Sequence, residues 1–349
     1  NVGGASTDAW AQDSQANLVA GTSAGASING NTSCNVLIGQ DAGTMLAAAS
    51  GSGSADSNVM IGVGAGKSAV TTYRSILIGE EAGKCGTSNF NIAVGYNALK
   101  EGGGSYKNIV IGHNAGSLSN TKMTASNMRE NVLLGYNAAY CGVGKQNVMI
   151  GNYVGYGATM SCENIFIGDQ AGYGAVSLTG RSNIAIGNRA GCSLASAHNT
   201  ILMGCNAGRK LTNGSSNVFI GNYAGSEVTT AGDNTFVGGL AGKYNQTGTY
   251  NAAFGYRALF GNATPANNTG GYNVAVGAWA GVYVASGTRN SLVGYRAGDN
   301  LTSGCCNVII GAHVDPPSAT GNCQFAIGAG TCHWITGDSD FNVGIGTNR

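Results

Sequence analysis

Charge and long apolar runs are what this 349-residue chain has least of. Only 9% of its residues are charged, the formal net charge is +1, and 3 residues are proline. A nucleic-acid partner requires a basic patch or stripe, so the near-neutral charge argues against one. No run of 18 apolar residues occurs, and we therefore expect no membrane insertion.

Catalytic and metal-binding patterns are also sparse. The 16 acidic residues are dispersed and the 4 histidines have no recurring Ser or Asp nearby, so no catalytic triad is indicated. No Cys-x-x-Cys motif occurs, and Cys323, His313 and Cys332-His333 form only a weak metal-site pattern. A sugar hydrolase would need a pair of carboxylates, and no pair recurs in register. We therefore expect no enzyme, no cofactor and no metal site.

One motif, by contrast, is repeated along the whole chain. It reads Asn-x-x-Ile-Gly-x-x-Ala-Gly, as in Asn35–Gly43 and Asn217–Gly225. We number each copy from its first glycine, taken as position zero. That glycine falls at 21, 39, 62, 79, 95, 112, 135, 151, 168, 187, 204, 221, 238, 255, 277, 294, 311, 328 and 346, and ten of the eighteen gaps are 17 residues. A fixed short period predicts a repeat architecture.

The three residues before the glycine predict a short β-strand. Positions −2 and −1 are apolar, position −3 is nearly always β-branched or apolar, and Asn and Gly bound this segment, which is rich in Val and Ile. Alternate strand residues face opposite sides, so we expect both faces to be buried, one inside the coil and one under a second layer or chain. The predicted core-strand residues at −1 include Ile38, Ile61, Ile78, Ile111, Ile150, Ile167, Ile220 and Ile310.

Position −4 is Asn in sixteen of the nineteen copies, with Ser75, Thr200 and Gln324 as substitutes. Stacked side chains could form a hydrogen-bonded ladder, or each Asn could bond its own backbone in a turn. Both interpretations are structural. The predicted row includes Asn35, Asn58, Asn91, Asn108, Asn131, Asn147, Asn164, Asn183 and Asn217.

The Gly-x-x-Ala-Gly segment predicts a tight corner, and a weaker second strand is expected around position +7, at Leu194, Leu211, Val228, Val284 and Leu301. No helical period follows any copy, so this is no phosphate loop. We predict an all-β parallel β-solenoid (β-roll) of about nineteen coils. Residues 1–16 would be a lead-in or cap, 17–333 the repeat array, and 334–349 the C-terminal end with the last repeat.

Three inserts lengthen the coil at the same place: Thr44–Ser57, Ser117–Glu130 and Phe260–Tyr272. They either contact a partner or cap the core of their own coil. Arg189, Arg257 and Arg296 share position +2 in non-neighbouring coils, which indicates a solvated rim.

Aromatic residues gather just after the strand. They could bind sugars by stacking, or they pack against the adjacent coil or chain; they are Tyr96, Tyr136, Tyr153, Tyr223, Tyr256, Trp279 and Tyr295. Among the 10 cysteines, Cys306 and Cys323 occupy the same position in successive coils, so a disulfide between them is expected, with Cys305 as the competing partner. Cys34, Cys85, Cys141, Cys162, Cys192 and Cys205 are expected to be buried thiols.

Copies such as Asn183–Gly187 and Asn273–Gly277 resemble the head repeats of trimeric autotransporter adhesins, and still more the Asn-x-x-Ile-Gly-x-x-Ala-Gly arrays of phage tail fibres and related viral fibres. The closing Phe341–Thr347 is similar to the junction that precedes a self-cleaving intramolecular chaperone in such fibres. The resemblance covers residues 17–347 and implies a parallel homotrimer. Because Asn1 is not a start methionine, we expect a processed chain or part of a longer one.

Residues and resemblance together predict an extracellular structural and adhesive fibre protein, the shaft or head of a viral or phage tail fibre. Its partners would be its own copies and a host surface receptor or glycan. The alternatives are a subunit of an extracellular filament that stacks end to end, a bacterial trimeric adhesin head, and a surface-polysaccharide hydrolase.

Overall fold

A computed structural model describes residues 12–47, 55–85, 89–101, 104–117, 128–140, 144–157, 161–174, 179–264, 267–340 and 342–346. It divides into two compact units, Asn1–Thr179 and Gly180–Arg349. These residues form twenty β-strands and no α-helix, which confirms the all-β prediction.

The first unit contains nine three-residue strands, each paired in parallel with the next. They are β1 (Leu18–Ala20), β2 (Val36–Ile38), β3 (Val59–Ile61), β4 (Ile76–Ile78), β5 (Ile92–Val94), β6 (Ile109–Ile111), β7 (Val132–Leu134), β8 (Val148–Ile150) and β9 (Ile165–Ile167). The register places equivalent repeat positions opposite each other, as in Val36↔Val59 and Ile38↔Ile61. This is a parallel β-solenoid with one strand per coil.

The second unit repeats this arrangement and then changes it. Its strands are β10 (Ile184–Ile186), β11 (Ile201–Met203), β12 (Val218–Ile220), β13 (Thr235–Val237), β14 (Ala252–Phe254), β15 (Val274–Val276), β16 (Ser291–Val293), β17 (Val308–Ile310), β18 (Phe325–Ala329), β19 (Cys332–Gly337) and β20 (Val343–Ile345). The pairings from β10 to β18 are parallel, whereas β18–β19 and β19–β20 are antiparallel.

The number of coils is therefore smaller than the nineteen predicted. Eight parallel steps in each unit make about 16 turns. The last copy of the motif, ending at Gly346, forms the outer strand of an antiparallel hairpin instead of a coil. The reason lies in the preceding copy, where Gly330 and Thr331 replace the usual corner sequence and reverse the chain.

In the described residues, the core is built from position −2 and the corner alanine, and several coils add an apolar residue at position +7. Leu37, Met60 and Phe219 at −2 are fully buried, as are Ala42 and Leu211. The residues at −3 and −1 point away from this core and are half-buried or exposed, with Ile109 at 40% and Ile111 at 42% exposure. A narrow coil encloses only one face of a three-residue strand.

Within a single chain, the −1 isoleucines therefore do not line the interior of the coil, and their predicted burial requires the second layer or chain. These side chains lie on the outer face of the strands: Ile38, Ile61, Ile78, Ile111, Ile150, Ile167, Ile220 and Ile310.

The second strand predicted around +7 is also not formed. The residues predicted to form it belong to no strand, and an isolated bridge joins Ser68 and Cys85 at the adjacent position +6 of successive coils. The N–H of Leu211 donates to the carbonyl of Gly208 at 3.0 Å, and that of Val228 to Gly225 at 3.1 Å. Because these amides bond within their own coil, they cannot extend a ladder between coils. Their apolar side chains still enter the core.

Candidate functional surfaces

The asparagine row is a buried hydrogen-bonded ladder. Both the backbone N–H and Nδ2 of Asn58 donate to Oδ1 of Asn35, at 2.9 and 3.0 Å. Nδ2 of Asn58 also donates to the carbonyl of Thr72 at 2.7 Å, which closes the coil on itself. The alternative of bonding to the nearby backbone is partly realised too, since Nδ2 of Asn35 donates to Ser33 at 3.0 Å.

The same pattern recurs along the row. The nine predicted members are buried: Asn35, Asn58, Asn91, Asn108, Asn131, Asn147, Asn164, Asn183 and Asn217. At Ser75 and Gln324 the backbone N–H still donates to the preceding Asn, at 3.0 and 2.7 Å. The row is therefore a structural element that joins coil to coil.

The outer face of the strands is an uncovered apolar surface in each unit. In β1 to β9 every residue at −3 and −1 is apolar. In the second unit Thr235 and Ser291 interrupt the row. Nine strands about 4.8 Å apart make a face that is about 40 Å long and has an area of roughly 400 Å². That is the usual size of the largest apolar patch on a monomeric protein, which is often a functional surface.

Aromatic rings form a stacked column on the surface of the first unit. The ring of His113 lies between those of Tyr96 and Tyr136, with centroid distances of 4.9 and 5.2 Å and nearly parallel planes. Tyr153 meets Tyr136 edge-to-face at 5.3 Å, and a hydrogen bond with Tyr136 raises the pKa of Tyr153. The rings of Tyr96, His113 and Tyr136 stack on one another from successive coils, so they pack against the adjacent coil, which is one of the two interpretations.

The second unit combines aromatic rings with cations. The guanidinium carbon of Arg257 lies 4.5 Å from the ring centroid of Trp279 and 5.5 Å from that of Tyr256. Arg257 is therefore packed among aromatic rings, and the solvated-rim interpretation is wrong for it. Tyr223, another predicted aromatic, lies 5.5 Å from Nζ of Lys243. Tyr295 meets His313 edge-to-face at 4.9 Å.

Glu227 and Asp315 are acidic groups whose pKa values are shifted in opposite directions. Burial opposes ionisation of Glu227, but hydrogen bonds from Lys210 and Arg209 outweigh it and lower the pKa of this carboxyl. Burial raises the pKa of Asp315, and the neighbouring charge of Asp299 adds to that effect against a hydrogen bond from the backbone of Asn300. Asp299 and Asp315 are a carboxylate pair that repeat spacing did not predict, because the two occupy different repeat positions.

The inserts contribute to the core of their own coils where they are described. Leu46 and Met128 are buried, while Met45 is 48% exposed. Residues 48–54 and 118–127, including Met123, and Pro265 and Ala266 lie outside the described part of the chain. In the third insert, Asn268 holds the loop through bonds from Nδ2 to the carbonyls of Asn262 and Thr264, at 2.8 and 2.9 Å.

The predicted disulfide is not formed, and the described cysteines that were predicted to be buried are half-buried or exposed. Cys306 and Cys323 are exposed free thiols. Stacking brings equivalent backbones together, but a disulfide also requires the two Cβ atoms to point at each other. Cys34 is exposed, and Cys85, Cys162, Cys192 and Cys205 are half-buried. Cys141 lies outside the described residues.

Within the described ranges, no group of three or more His, Cys, Asp or Glu side chains could hold a metal ion. The same ranges contain no helix of the length and apolarity that crossing a membrane requires.

Sequence reasoning missed Lys243 and Phe260, which share position +5 in successive coils. Aligning the repeats by column would have brought them together. We found no family model, no curated protein and no solved structure that matches this chain.

Proposed function

We propose that this protein is a structural and adhesive fibre protein, the shaft or head of a viral or phage tail fibre, and that it acts outside the cell as a parallel homotrimer without catalysis. The observation that carries this proposal is the uncovered apolar face of the strands. A row of Val, Ile, Leu and one Ala without a polar interruption in β1 to β9 is unfavourable in water. A second copy of the same solenoid supplies a face of matching period.

The proposed mechanism is mechanical. Parallel strands and the asparagine ladder connect each coil to the next through main-chain and side-chain hydrogen bonds. Load along the solenoid is shared by many equivalent bonds, which suits a shaft. The inserts and the aromatic surface would then supply the contacts with a host receptor or glycan.

A filament subunit is the second candidate. The outer hairpin strand β20 is an unpaired edge, and Val343 and Ile345 on it are 66% and 77% exposed. An exposed apolar edge strand is a template for pairing with another chain. A filament would use this edge to join copies end to end.

Light scattering of the purified protein, with and without reductant, tests the assembly. A molar mass near three times 34.9 kDa is expected. Ile111→Lys, on the outer face, should lower that mass because it places a charge in the interface. Val63→Lys is the matched control, since Val63 is 50% exposed and lies outside the strands.

The mass of a single chain would overturn the trimer, and an open-ended distribution of masses would favour the filament. If the two lysine variants changed the molar mass equally, the outer face would not be part of the interface. Retention of the labelled trimer on intact cells then tests adhesion, and a trimer that binds no cell surface would leave a purely structural role.

A further inference from the structure

A cluster of cations and aromatic rings in the second unit lies next to the third insert. We call it the Arg257 site. It consists of Tyr223, Lys243, Tyr256, Arg257, Phe260 and Trp279. These residues come from four successive coils, with Tyr223, Arg257 and Trp279 at position +2 and Lys243 and Phe260 at position +5. The repeat therefore arranges the site as two adjacent columns.

Aromatic rings hold both cations in place. The guanidinium carbon of Arg257 lies 4.9 Å from the ring centroid of Phe260, and Nζ of Lys243 lies 5.8 Å from the same centroid. Lys243 also approaches the ring of Tyr244, at 4.6 Å. Cation–π contacts of this kind fix a charge without neutralising it.

The two charges have no acidic partner. None of the ion pairs among the described residues includes Lys243 or Arg257. Nε of Arg257 is buried without a hydrogen-bond partner. The acidic residue beside them is Glu227, whose backbone N–H donates to the carbonyl of Lys243 at 2.9 Å. Its carboxylate is already paired with Arg209 and Lys210, at 2.8 and 2.5 Å.

Uncompensated positive charge beside exposed aromatic rings suits an anionic sugar. A guanidinium can bind a carboxylate or a sulfate through two parallel hydrogen bonds. Tyr256 is 46% exposed and Tyr223 is 36% exposed, so their rings are accessible. Tyr and Trp offer an apolar body and a polar edge, which match the apolar face and hydroxyl rim of a pyranose ring.

We propose that the Arg257 site binds an acidic polysaccharide. Arg257 and Lys243 would contact its carboxylate or sulfate groups, and the exposed rings of Tyr223 and Tyr256 would contact its sugar rings. The biological use of the site, attachment to a surface coat, rests on the proposed fibre function. The binding itself does not depend on it.

Biolayer interferometry on the full chain tests the site with three polymers: polygalacturonate, dextran sulfate and neutral dextran. The wild type should bind the two anionic polymers, more weakly as salt rises, and not neutral dextran. The double variant Lys243→Gln, Arg257→Gln should lose about tenfold or more in affinity. Arg257→Lys keeps the charge without the planar fork and should fall between the two.

Arg289→Gln is the matched control, since Arg289 lies 5.5 Å from the ring centroid of Tyr272 and outside the site. It should bind like the wild type, and thermal unfolding verifies that every variant is folded. The proposal is overturned by failure of the wild type to bind either anionic polymer, by equal binding of neutral dextran, or by equal affinity of the double variant and the wild type.

The two proposals are tested by different measurements. The molar mass tests the trimeric fibre, and polymer binding tests the Arg257 site. A single-chain particle that binds anionic polymers through Arg257 would overturn the trimer and support the site. A trimer that does not bind them would overturn the site alone.

Discussion

At the scale of the residue, position zero of the repeat has the strictest requirement for glycine. Gly221 has φ +136°, a region that residues with a side chain rarely adopt. A Cβ there would lie 2.5 Å from the carbonyl oxygen of Gly238 in the next coil. The same close approach recurs between successive glycines, such as Gly204 and Gly221, so the coil spacing itself requires them.

Gly221→Ala should therefore destabilise the protein by about 2–4 kcal/mol. Chemical denaturation measures the change. Gly239→Ala is the control, because a Cβ at Gly239 meets only the ring of Tyr256, at 3.4 Å, and no positive φ is required. A similar loss in both variants would contradict the argument from close backbone approach.

The asparagine ladder makes a second prediction at this scale. Nδ2 of Asn234 donates to the carbonyl of Gly248 at 2.9 Å, and its Oδ1 accepts the N–H of Asn251 at 2.9 Å. Asn234→Ala leaves these buried groups unpaired and should cost about 1–3 kcal/mol. Asn234→Ser should cost less, since Ser75 shows that a hydroxyl can occupy the row.

Thermal unfolding compares the two ladder variants with Asn213→Ala. Asn213 is exposed, and its loss should change stability by about 0.5 kcal/mol or less. If Asn234→Ala were as stable as this control, the ladder would contribute nothing measurable.

Glu227 makes stability depend on pH. Its pKa is lowered in the folded state, so its contribution is present above the unfolded pKa near 4.5 and is lost as the pH falls through the folded pKa. Glu227→Gln should therefore destabilise by about 1–2 kcal/mol at pH 7 and have progressively less effect in acid. Denaturation from pH 7 to about 3, with exposed Asp233→Asn as control, measures this. A pH-independent loss would indicate a packing effect instead.

At the scale of the element, one coil is the unit that can be removed. Strands β11 and β12 are paired at equivalent repeat positions, as in Leu202↔Phe219. Deleting Cys205–Gly221 joins Gly204 to Asn222 and preserves the motif. In a repeat protein each coil contacts only its neighbours, so the shortened chain should fold with a small loss of stability.

Deleting only Cys205–Asn213 is the contrasting change. It leaves too few residues between β11 and β12 to complete a coil, and should strongly reduce the cooperativity of unfolding and the yield of soluble protein. Circular dichroism with thermal unfolding compares the two deletions. Equal behaviour would show that the coil is not the cooperative unit.

At the scale of the whole molecule, the β19–β20 hairpin covers the last parallel strand of the second unit. Strand β19 pairs with β18 in antiparallel orientation, so β18 does not present a free edge. Truncation after Ala329 removes this cover, and light scattering should then detect larger particles. Trp334→Ser keeps the hairpin and removes an exposed ring, 60% accessible, and is the control. An unchanged particle size after truncation would show that the hairpin is not a protective cap.

Several structural features could be predicted from the sequence because the same residue types recur at the same repeat positions. The strand at −3 to −1, the corner alanine and the asparagine row follow from residue type at a fixed spacing. The absence of the second strand was not predictable, because residue type does not show that amides such as that of Leu211 bond to a carbonyl of their own coil. The conformation of the last repeat depends on antiparallel pairing in the hairpin, where Gly337 lies opposite Phe325. The repeat motif does not show which strands pair, so this conformation could not be predicted from it.

The sequence by itself determined the period, the strand positions and the apolar content of this protein, since each is a property of residues close together in the chain. Only the tertiary structure decided which apolar face is enclosed and which is left outside. Leu37 and Ile38 are equally apolar, yet the coil buries the first and leaves the second on the surface. Likewise, Lys243, Arg257 and Trp279 lie in successive coils and are far apart in the sequence. Stacking places neighbouring coils one strand separation apart, and this brings the three side chains into one site.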